Sequence, residues 1–503
     1  MRESRTFTFS ATLLLLLSTL PATAAGPLSG PPAHRPDLTA PTPAAESTGR
    51  FDPPPRRRGA PDAESPGVVH QRSTIGTGRA ADHVVVRFIE GLPAWQEEAI
   101  AAGLGSPRLT RPRAGRFVRV DVPEGETPEQ VVERFRSHPS VAWAETDGLV
   151  RATYDGQAVA AAATNDPFFA SQWHLQRIGL DEALARNPVA GAGVVVAVLD
   201  TGVAFGNGAA FPSRRGVDLA ATPFLPGFDV VDRDDQPFDE GSAADPERPN
   251  ETIRFGHGTF VAAVIAATAN NGVAGTGVAP RASILPVRVL GTSGSGTFSG
   301  VAEGISFAAG AGAKVINMSL GGAGGSQAVL EAVADAHRRG VVLVASAGNE
   351  ADDPEFEDEL DSDVAFPARY QQVIAVGATD FDDDRAAYSN FGPSLDLVAP
   401  GGGDNRQLDA DRRDGVLSTS FLFNPLTGQA SYGGFWATGT SFAAPHVAGL
   451  AALLISLGVD DPEALRLMLE LTARDLFAPG FDITSGHGRI DAAAAHRGLG
   501  FTN

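Results

Sequence analysis

The chain has 503 residues, with 39 Lys and Arg against 60 Asp and Glu, a formal charge of −21 at neutral pH. So acidic a balance excludes a general nucleic-acid binder, which needs clustered cations along the phosphates. With 43% apolar residues the chain can bury a large core, and with no cysteine that core must hold without disulfides.

Arg2 and Arg5 precede the apolar run from Ala11 to Leu20, and Ala22-Thr23-Ala24 offers a small-residue cleavage site. Residues 1–25 therefore read as a secretory signal peptide, the run being too short to cross about 30 Å of hydrocarbon. No other stretch approaches spanning length, so an exported protein that is not embedded in a membrane is expected. Residues 26–82 are rich in Pro, Gly, Ala, Ser and Thr and poor in large apolar side chains. They read as a disordered linker, with Arg56-Arg57-Arg58 a solvated charge cluster.

Residues 83–154 read as a compact α+β unit. Val84 to Phe88 predicts a strand and Leu92 to Gly103 a helix. Arg116 to Val122 alternates at period two, as a half-solvated strand does. Pro128 to Ser137 predicts an amphipathic helix with Val131, Val132 and Phe135 on one face, and Val141 to Asp147 a last strand.

The chemistry-bearing stretches lie in residues 155–503. Val194 to Leu199 is a continuous apolar run ending in Asp200, the pattern of a parallel strand buried on both faces with a carboxylate at its carboxyl end. Gly256-His257-Gly258 opens a second apolar run, suited to a buried helix. Gly439-Thr440-Ser441 delivers a hydroxyl to the start of a helix whose small residues let neighbours approach, and Pro445 fits a first helical turn. Each has a plainer reading alone: a turn cap for Asp200, a satisfied core histidine for His257, a helix cap for Ser441. In the order Asp200, His257, Ser441 they form a set able to activate a serine hydroxyl.

These three blocks resemble those of the subtilisin-like serine proteases (subtilases). Val341 to Glu350 is similar to the family's strand and loop carrying its oxyanion asparagine, here Asn349, and Ile316 to Gly322 to the strand lining the substrate cleft. Phe391-Gly392-Pro393 and Val398 to Gly401 are also family-like, and the resemblance runs from about Asn165 to Ala495. It implies a three-layer α/β domain with a mostly parallel central sheet, preceded by a small α+β propeptide domain. It implies a secreted serine endopeptidase, with His257 as base, Asp200 as its orienter, Ser441 as nucleophile and Asn349 as oxyanion donor. Residues 83–154 would then be the inhibitory propeptide of a self-processed zymogen, its tail Gly148 to Tyr154 lying in the cleft. Autocleavage is expected near Tyr154, or alternatively within Ala158 to Thr164.

Gly294-Ser295-Gly296 and Ser319-Leu320-Gly321 are expected to flank a polypeptide substrate by strand addition. As a phosphate cradle the glycine-serine loop fails, lacking the required Lys and Gly spacing. The loop Thr268 to Val273 resembles the family's calcium loop, implying a structural Ca²⁺ with Asn271 and Val273 among its ligands. No carboxylate to complete that site is evident, and the acidic segment Asp229 to Asp239 reads as solvated. Phe260 stands where a second histidine is common in the family, which bears on packing, since that position is not the base. The stretch from Asp404 to Gly434 reads as an insertion, leaving the shape of the cleft beside it open. A monomer without catalytic metal is expected. Two other readings remain: a silent subtilase fold used for binding, and a non-peptidic hydrolase, for which no Gly-x-Ser-x-Gly elbow is found.

Overall fold

A computed structural model describes residues 79–106, 108–152, 155–158, 166–187, 189–243, 246–351, 364–403 and 414–499. The signal peptide, nearly all of the linker, Tyr154 and the alternative cut region 159–164 lie outside these residues.

The first unit contains β1 (Arg79–Phe88), α1 (Ala94–Gly103), β2 (Leu109–Thr110), β3 (Val118–Asp121), α2 (Pro128–Arg136) and β4 (Val141–Ala152). Its strands pair antiparallel in the order β4-β1-β3-β2. The inward residues Val84, Val86, Val118 and Val120 meet Val131 and Phe135 of α2 in a small core of their own. A capping box from Thr127 and Gln130 starts α2, satisfying N–H groups that have no helical partner. Two boundaries differ from expectation. β1 begins at Arg79, inside the stretch read as linker, because Arg79 pairs with Gly148. β4 continues five residues past Asp147, because its tail acquires partners in the second domain.

After β5 (Asp155–Ala158), α3 (Trp173–Arg177) and α4 (Leu180–Arg186), the larger domain follows the sequence reading closely. Its elements are β6 (Val195–Asp200), β7 (Phe228–Asp229), β8 (Ser242–Ala243), β9 (Arg254–Phe255), α5 (His257–Ala266) and β10 (Ser283–Arg288). Next come β11 (Ser295–Thr297), α6 (Phe298–Gly310), β12 (Val315–Met318), β13 (Leu320–Gly321), α7 (Gln327–Arg338), β14 (Val342–Ser346), β15 (Val373–Thr379) and β16 (Leu397–Pro400). The chain closes with β17 (Val416–Asn424), β18 (Gln429–Thr438), α8 (Thr440–Ser456), α9 (Pro462–Thr472) and α10 (Ala492–Gly498).

A parallel seven-stranded sheet runs β16-β15-β14-β12-β6-β10-β7. Its strands are buried along nearly their whole length, which explains why they read as unbroken apolar runs. α5 and α8 pack against each other on the sheet, and α6 and α7 form another helical pair, giving three layers. α8 is buried from Thr440 to Leu454, so its polar residues must find partners inside the protein. Pro445 lies inside this helix rather than in its first turn. The carbonyl that its missing N–H would have taken, that of Ser441, accepts the Ser319 hydroxyl at 2.7 Å instead.

The stretch read as an insertion contributes strands: β17 and β18 form a hairpin within a second sheet, ordered β5-β18-β17-β9-β8. The first unit meets the larger domain through Val85, Phe117, Val150 and Ala152, which join the main core, and through ions at helix starts. Asp147 accepts Ser299 N (2.9 Å) and the Ser299 hydroxyl at the start of α6. Glu145 accepts the Ser326 hydroxyl (2.7 Å), Gln327 N (2.8 Å) and Ala328 N (3.1 Å) at the start of α7. Both placements match the positive end of a helix dipole. The fully buried Glu303 accepts from Arg113 N, Arg119 and Arg233.

Candidate active site

Asp200 ends β6, at the carboxyl edge of the parallel sheet, and His257 opens α5 beside it. Their side chains are fully buried, with His257 Nδ1 2.7 Å from Asp200 Oδ1. That oxygen also accepts Thr201 N at 2.7 Å, so the carboxylate is held by its own turn. The helix can come this close because residue 258 is glycine: a Cβ there would stand 2.1 Å from the Gly202 carbonyl oxygen.

Ser441 is the second residue of α8, behind Gly439, whose φ of 146° suits glycine. Its hydroxyl donates to the Ser319 carbonyl at 3.1 Å. The next residue, Phe442, has its ring centroid 5.3 Å from that of His257 and 4.6 Å from that of Phe260. The structure thus brings Asp200, His257 and Ser441 into one neighbourhood, with the hydroxyl turned toward Ser319. Phe260 fills a fully buried slot between Phe255 and Phe442, a packing role.

Asn349 follows β14. Its Oδ1 accepts Thr440 N at 3.0 Å and the Thr440 hydroxyl at 2.7 Å, which turns the carboxamide nitrogen away from Thr440. Buried Glu350 steadies this loop, accepting Asn349 N (2.7 Å) and Asn390 Nδ2 (2.8 Å) on one oxygen.

The expected cleft strands are occupied by the chain itself. Ser295 and Gly296 of β11 pair antiparallel with Arg151 and Val150 of β4, and Leu320 and Gly321 of β13 pair with Ala152 and Arg151. The Gly294 carbonyl accepts Ala152 N at 2.9 Å. Val150 and Ala152 are buried there. Ser319 acts differently from its neighbours, bonding Ser441 rather than the inserted strand.

Sequence reading missed Asp239, which lies at the end of a segment read as solvated. It is fully buried and joins the turn after β6 to α5. Oδ1 accepts the Thr201 hydroxyl (2.9 Å) and Gly241 N (2.8 Å); Oδ2 accepts Thr259 N (2.9 Å) and its hydroxyl (2.7 Å). Burial pushes its pKa up to about 7 against these bonds, and the charge of Asp200 adds to the rise. Asp229, in the same segment, is also buried and pairs with Arg288 at 2.8 Å. No local pattern separates either from a surface acid; only their distant partners do.

His446, one turn after Phe442 in α8, faces His174 across 2.7 Å, and its Nδ1 lies 2.7 Å from the Phe442 carbonyl. Burial lowers the pKa of His446 to about 4, so it is a neutral structural imidazole.

At the loop resembling a calcium site, Asn271 Nδ2 donates to Asp218 at 2.7 Å and Asn271 Oδ1 accepts Val273 N at 2.7 Å. Asp218 is wholly buried; burial lifts its pKa to about 7, hydrogen bonds from Asn271 and Gly275 oppose the rise, and Asp166 adds to it. Asp166 itself accepts the N–H groups of Asn270, Asn271 and Gly272. Among the described residues no three His, Asp or Glu side chains gather around one point. The Asp218 oxygens accept Asn271 Nδ2 and Gly275 N, so Ca²⁺, which seeks hard oxygens, would enter only with the Asn271 carboxamide turned over.

Residues 191–488 match the profile of the subtilase family. An alkaline elastase of Bacillus sp. (strain YaB) is 38% identical over 326 residues, covering 65% of this chain and 70% of the elastase. Thermitase of Thermoactinomyces vulgaris is 36% identical over 63% of this chain and 93% of its own. Among solved structures, a chain from work on proteases of Pseudoalteromonas arctica PAMC 21717 is 35% identical with a TM-score of 0.55, covering 67% of this chain and 99% of its own.

Proposed function

The chain belongs to the subtilase family of serine endopeptidases, and from that premise we propose that Asp200, His257 and Ser441 form its catalytic triad, in a secreted precursor that cuts itself. The observation that carries the reading is the 2.7 Å contact between His257 and Asp200, with Ser441 on the neighbouring helix start.

A serine hydroxyl is a poor nucleophile until a base takes its proton. Rotation of Ser441 about χ1 moves its hydroxyl from the Ser319 carbonyl toward His257 Nε2. The imidazole accepts the proton as the oxygen attacks the scissile carbonyl, then returns it to the leaving amine. Asp200 fixes the Nδ1–H tautomer and stabilises the imidazolium. Asn349 Nδ2 and the Ser441 N–H receive the developing oxyanion, assisted by the positive end of α8. Water then hydrolyses the acyl-enzyme by the same proton path.

Residues 83–154 serve as an inhibitory propeptide, a role supported by the strand that β4 lays between β11 and β13. The chain continues from Ala152, opposite Leu320, to Asp155, opposite Thr438, three residues before Ser441. Self-cleavage therefore falls between residues 152 and 155. Signal-like residues 1–25 account for export, and no described helix is long and apolar enough to cross a membrane. A structural Ca²⁺ held by Asp218, Asn271 and the Val273 carbonyl would neutralise a buried carboxylate and tie the loop down.

The test is to express the precursor beside Ser441→Ala and weigh the products. Wild type is expected to yield fragments ending within that interval, and Ser441→Ala to remain joined there. Equal cutting of both, or of neither, would sink the self-processing claim.

A further inference from the structure

Asp200 is held on one oxygen. Its Oδ1 takes both His257 Nδ1 and Thr201 N, each at 2.7 Å, while its buried Oδ2 has no hydrogen-bond partner among the described residues. The direction in which this carboxylate faces the imidazole therefore depends on where the Thr201 backbone lies. Thr201 is fixed in turn through its hydroxyl, which accepts Gly258 N at 3.0 Å and donates to Asp239 Oδ1 at 2.9 Å.

The other Asp239 oxygen reaches α5 itself. Oδ2 accepts Thr259 N at 2.9 Å and the Thr259 hydroxyl at 2.7 Å, and that hydroxyl accepts Ala204 N at 2.9 Å. Gly256, at the start of α5, has no side chain to cap the helix, so this distant carboxylate satisfies a first-turn N–H in its place. A ring of bonds results, from Asp239 to Thr201, Thr201 to Asp200, Asp200 to His257, and the first turn of α5 back to Asp239.

The backbone decides where the protons of this ring lie. Gly258 N and Ala204 N donate to the two threonine hydroxyls, so each hydroxyl proton is left for Asp239. Gly241 N and Thr259 N donate to it as well. Every group that meets this fully buried carboxylate is thus a donor, which suits an ionised aspartate alone; an asparagine would turn an N–H against one of them.

We propose that Asp239 is a positioning residue for the triad, the carboxylate whose bonds to Thr201 and Thr259 set the aim of Asp200 at His257. The proposal rests on Asp200, His257 and Ser441 being that triad. Asp239 acts through its neighbours and not on substrate, so its loss should fall on turnover and spare KM.

The test compares wild type with Asp239→Asn, Thr259→Val and Thr259→Ser on one quenched fluorescent peptide, at a temperature where unfolding curves show each to be folded. Precursors slow to mature are first opened by a trace of tagged wild type, which is then removed. Asp239→Asn is expected to lower kcat by about 30-fold or more, with KM within about threefold of wild type. Thr259→Val should lower kcat about tenfold, and Thr259→Ser, which keeps the hydroxyl, should recover most of that loss. The downfield proton NMR signal of the His257 Nδ1–H should move or vanish in Asp239→Asn. A kcat of Asp239→Asn within about threefold of wild type, or an unmoved signal, would leave Asp239 a mere cap of α5 and overturn the proposal. Equal losses in Thr259→Val and Thr259→Ser overturn it too, and they decide the matter if Asp239→Asn does not fold. Peptide hydrolysis that survives Ser441→Ala strikes instead at the triad, and both claims then fall together.

Discussion

The first unit, an antiparallel α+β assembly, and the larger α/β domain are held in different ways. The larger domain is fixed by a continuous apolar interior running through α8 and seven parallel strands. The first unit has a small core of its own, lends Val85, Phe117, Val150 and Ala152 to the larger core, and grips its neighbour with ions: Asp147 and Glu145 on two helix starts, Arg87 on Glu331, Arg113 on Asp235 and Arg119 on Glu303. Apolar burial responds little to pH or salt, whereas ion contacts respond to both. On the proposed reading, one region persists and the other is released.

The strongest way to break that contrast is from within the persistent part. Phe442→Ala empties a fully buried site between His257 and Phe260. It should cost roughly 3–5 kcal/mol of stability and most of the activity. Denaturant unfolding of the processed domain checks this, and a loss under 1 kcal/mol would mean that α8 is less tightly set than its burial indicates.

On the releasable side, Asp147→Asn keeps the size but deletes the charge at the start of α6. Binding of the severed unit should weaken about 10- to 100-fold, from roughly 1–3 kcal/mol. The melting temperature of the larger domain should not move. An unchanged inhibition constant would show that the ions contribute nothing to the grip.

The proposed Ca²⁺ site sharpens the comparison, because Asp218 brings pH sensitivity into the persistent part. Asp218 has a folded pKa of about 7, above its free value near 4. Between those values the folded protein holds a proton that the unfolded chain has released, so without a cation stability falls as pH rises through that window. Ca²⁺ competes with the proton and should matter most above pH 7. A chelator is expected to lower Tm by about 5 °C at pH 8 and far less at pH 5. Equal shifts at both pH values would remove Asp218 from the site.

The smallest effect concerns His83, which lies 2.7 Å from Asp82 and 2.8 Å from Asp147. Burial alone would lower its pKa, but the bond and charge of Asp147, with Asp82 adding, carry it up. A raised folded value means stability that is complete below about pH 6.5 and lost as pH climbs through the raised value. The first unit should therefore loosen toward alkaline pH, and His83→Gln should flatten that dependence. Hydrogen exchange in β1 across pH 5 to 9 reads it directly.

What was legible in the sequence follows the range of the physics involved. Asp200, His257 and Ser441 announced themselves because each sits in a contiguous stretch whose glycines and apolar neighbours are demanded by local geometry. The cleft strands around Gly296 and Leu320 were visible for the same reason. Asp218 and Asp239 were not, since a carboxylate in divergent loop sequence looks solvated until Asn271 or Thr259 is known to face it. The β17–β18 hairpin lay in between. Its alternating Phe421, Phe423, Tyr432 and Trp436 carry a strand signal, but where the hairpin docks depends on β9, far away in the chain, which pairs with β17.

Because β4 and β5 lie on different sheets, severing the chain between them leaves each piece anchored to a separate surface. While the backbone is whole, the first unit faces its groove at an effective concentration of order millimolar, fixed by the linkage alone. Afterwards the same contacts must compete with free diffusion, and occupancy follows the number of molecules per unit volume. Spreading into open medium would then uncover the groove with no further chemistry, whereas crowding at the producing cell would keep it shut.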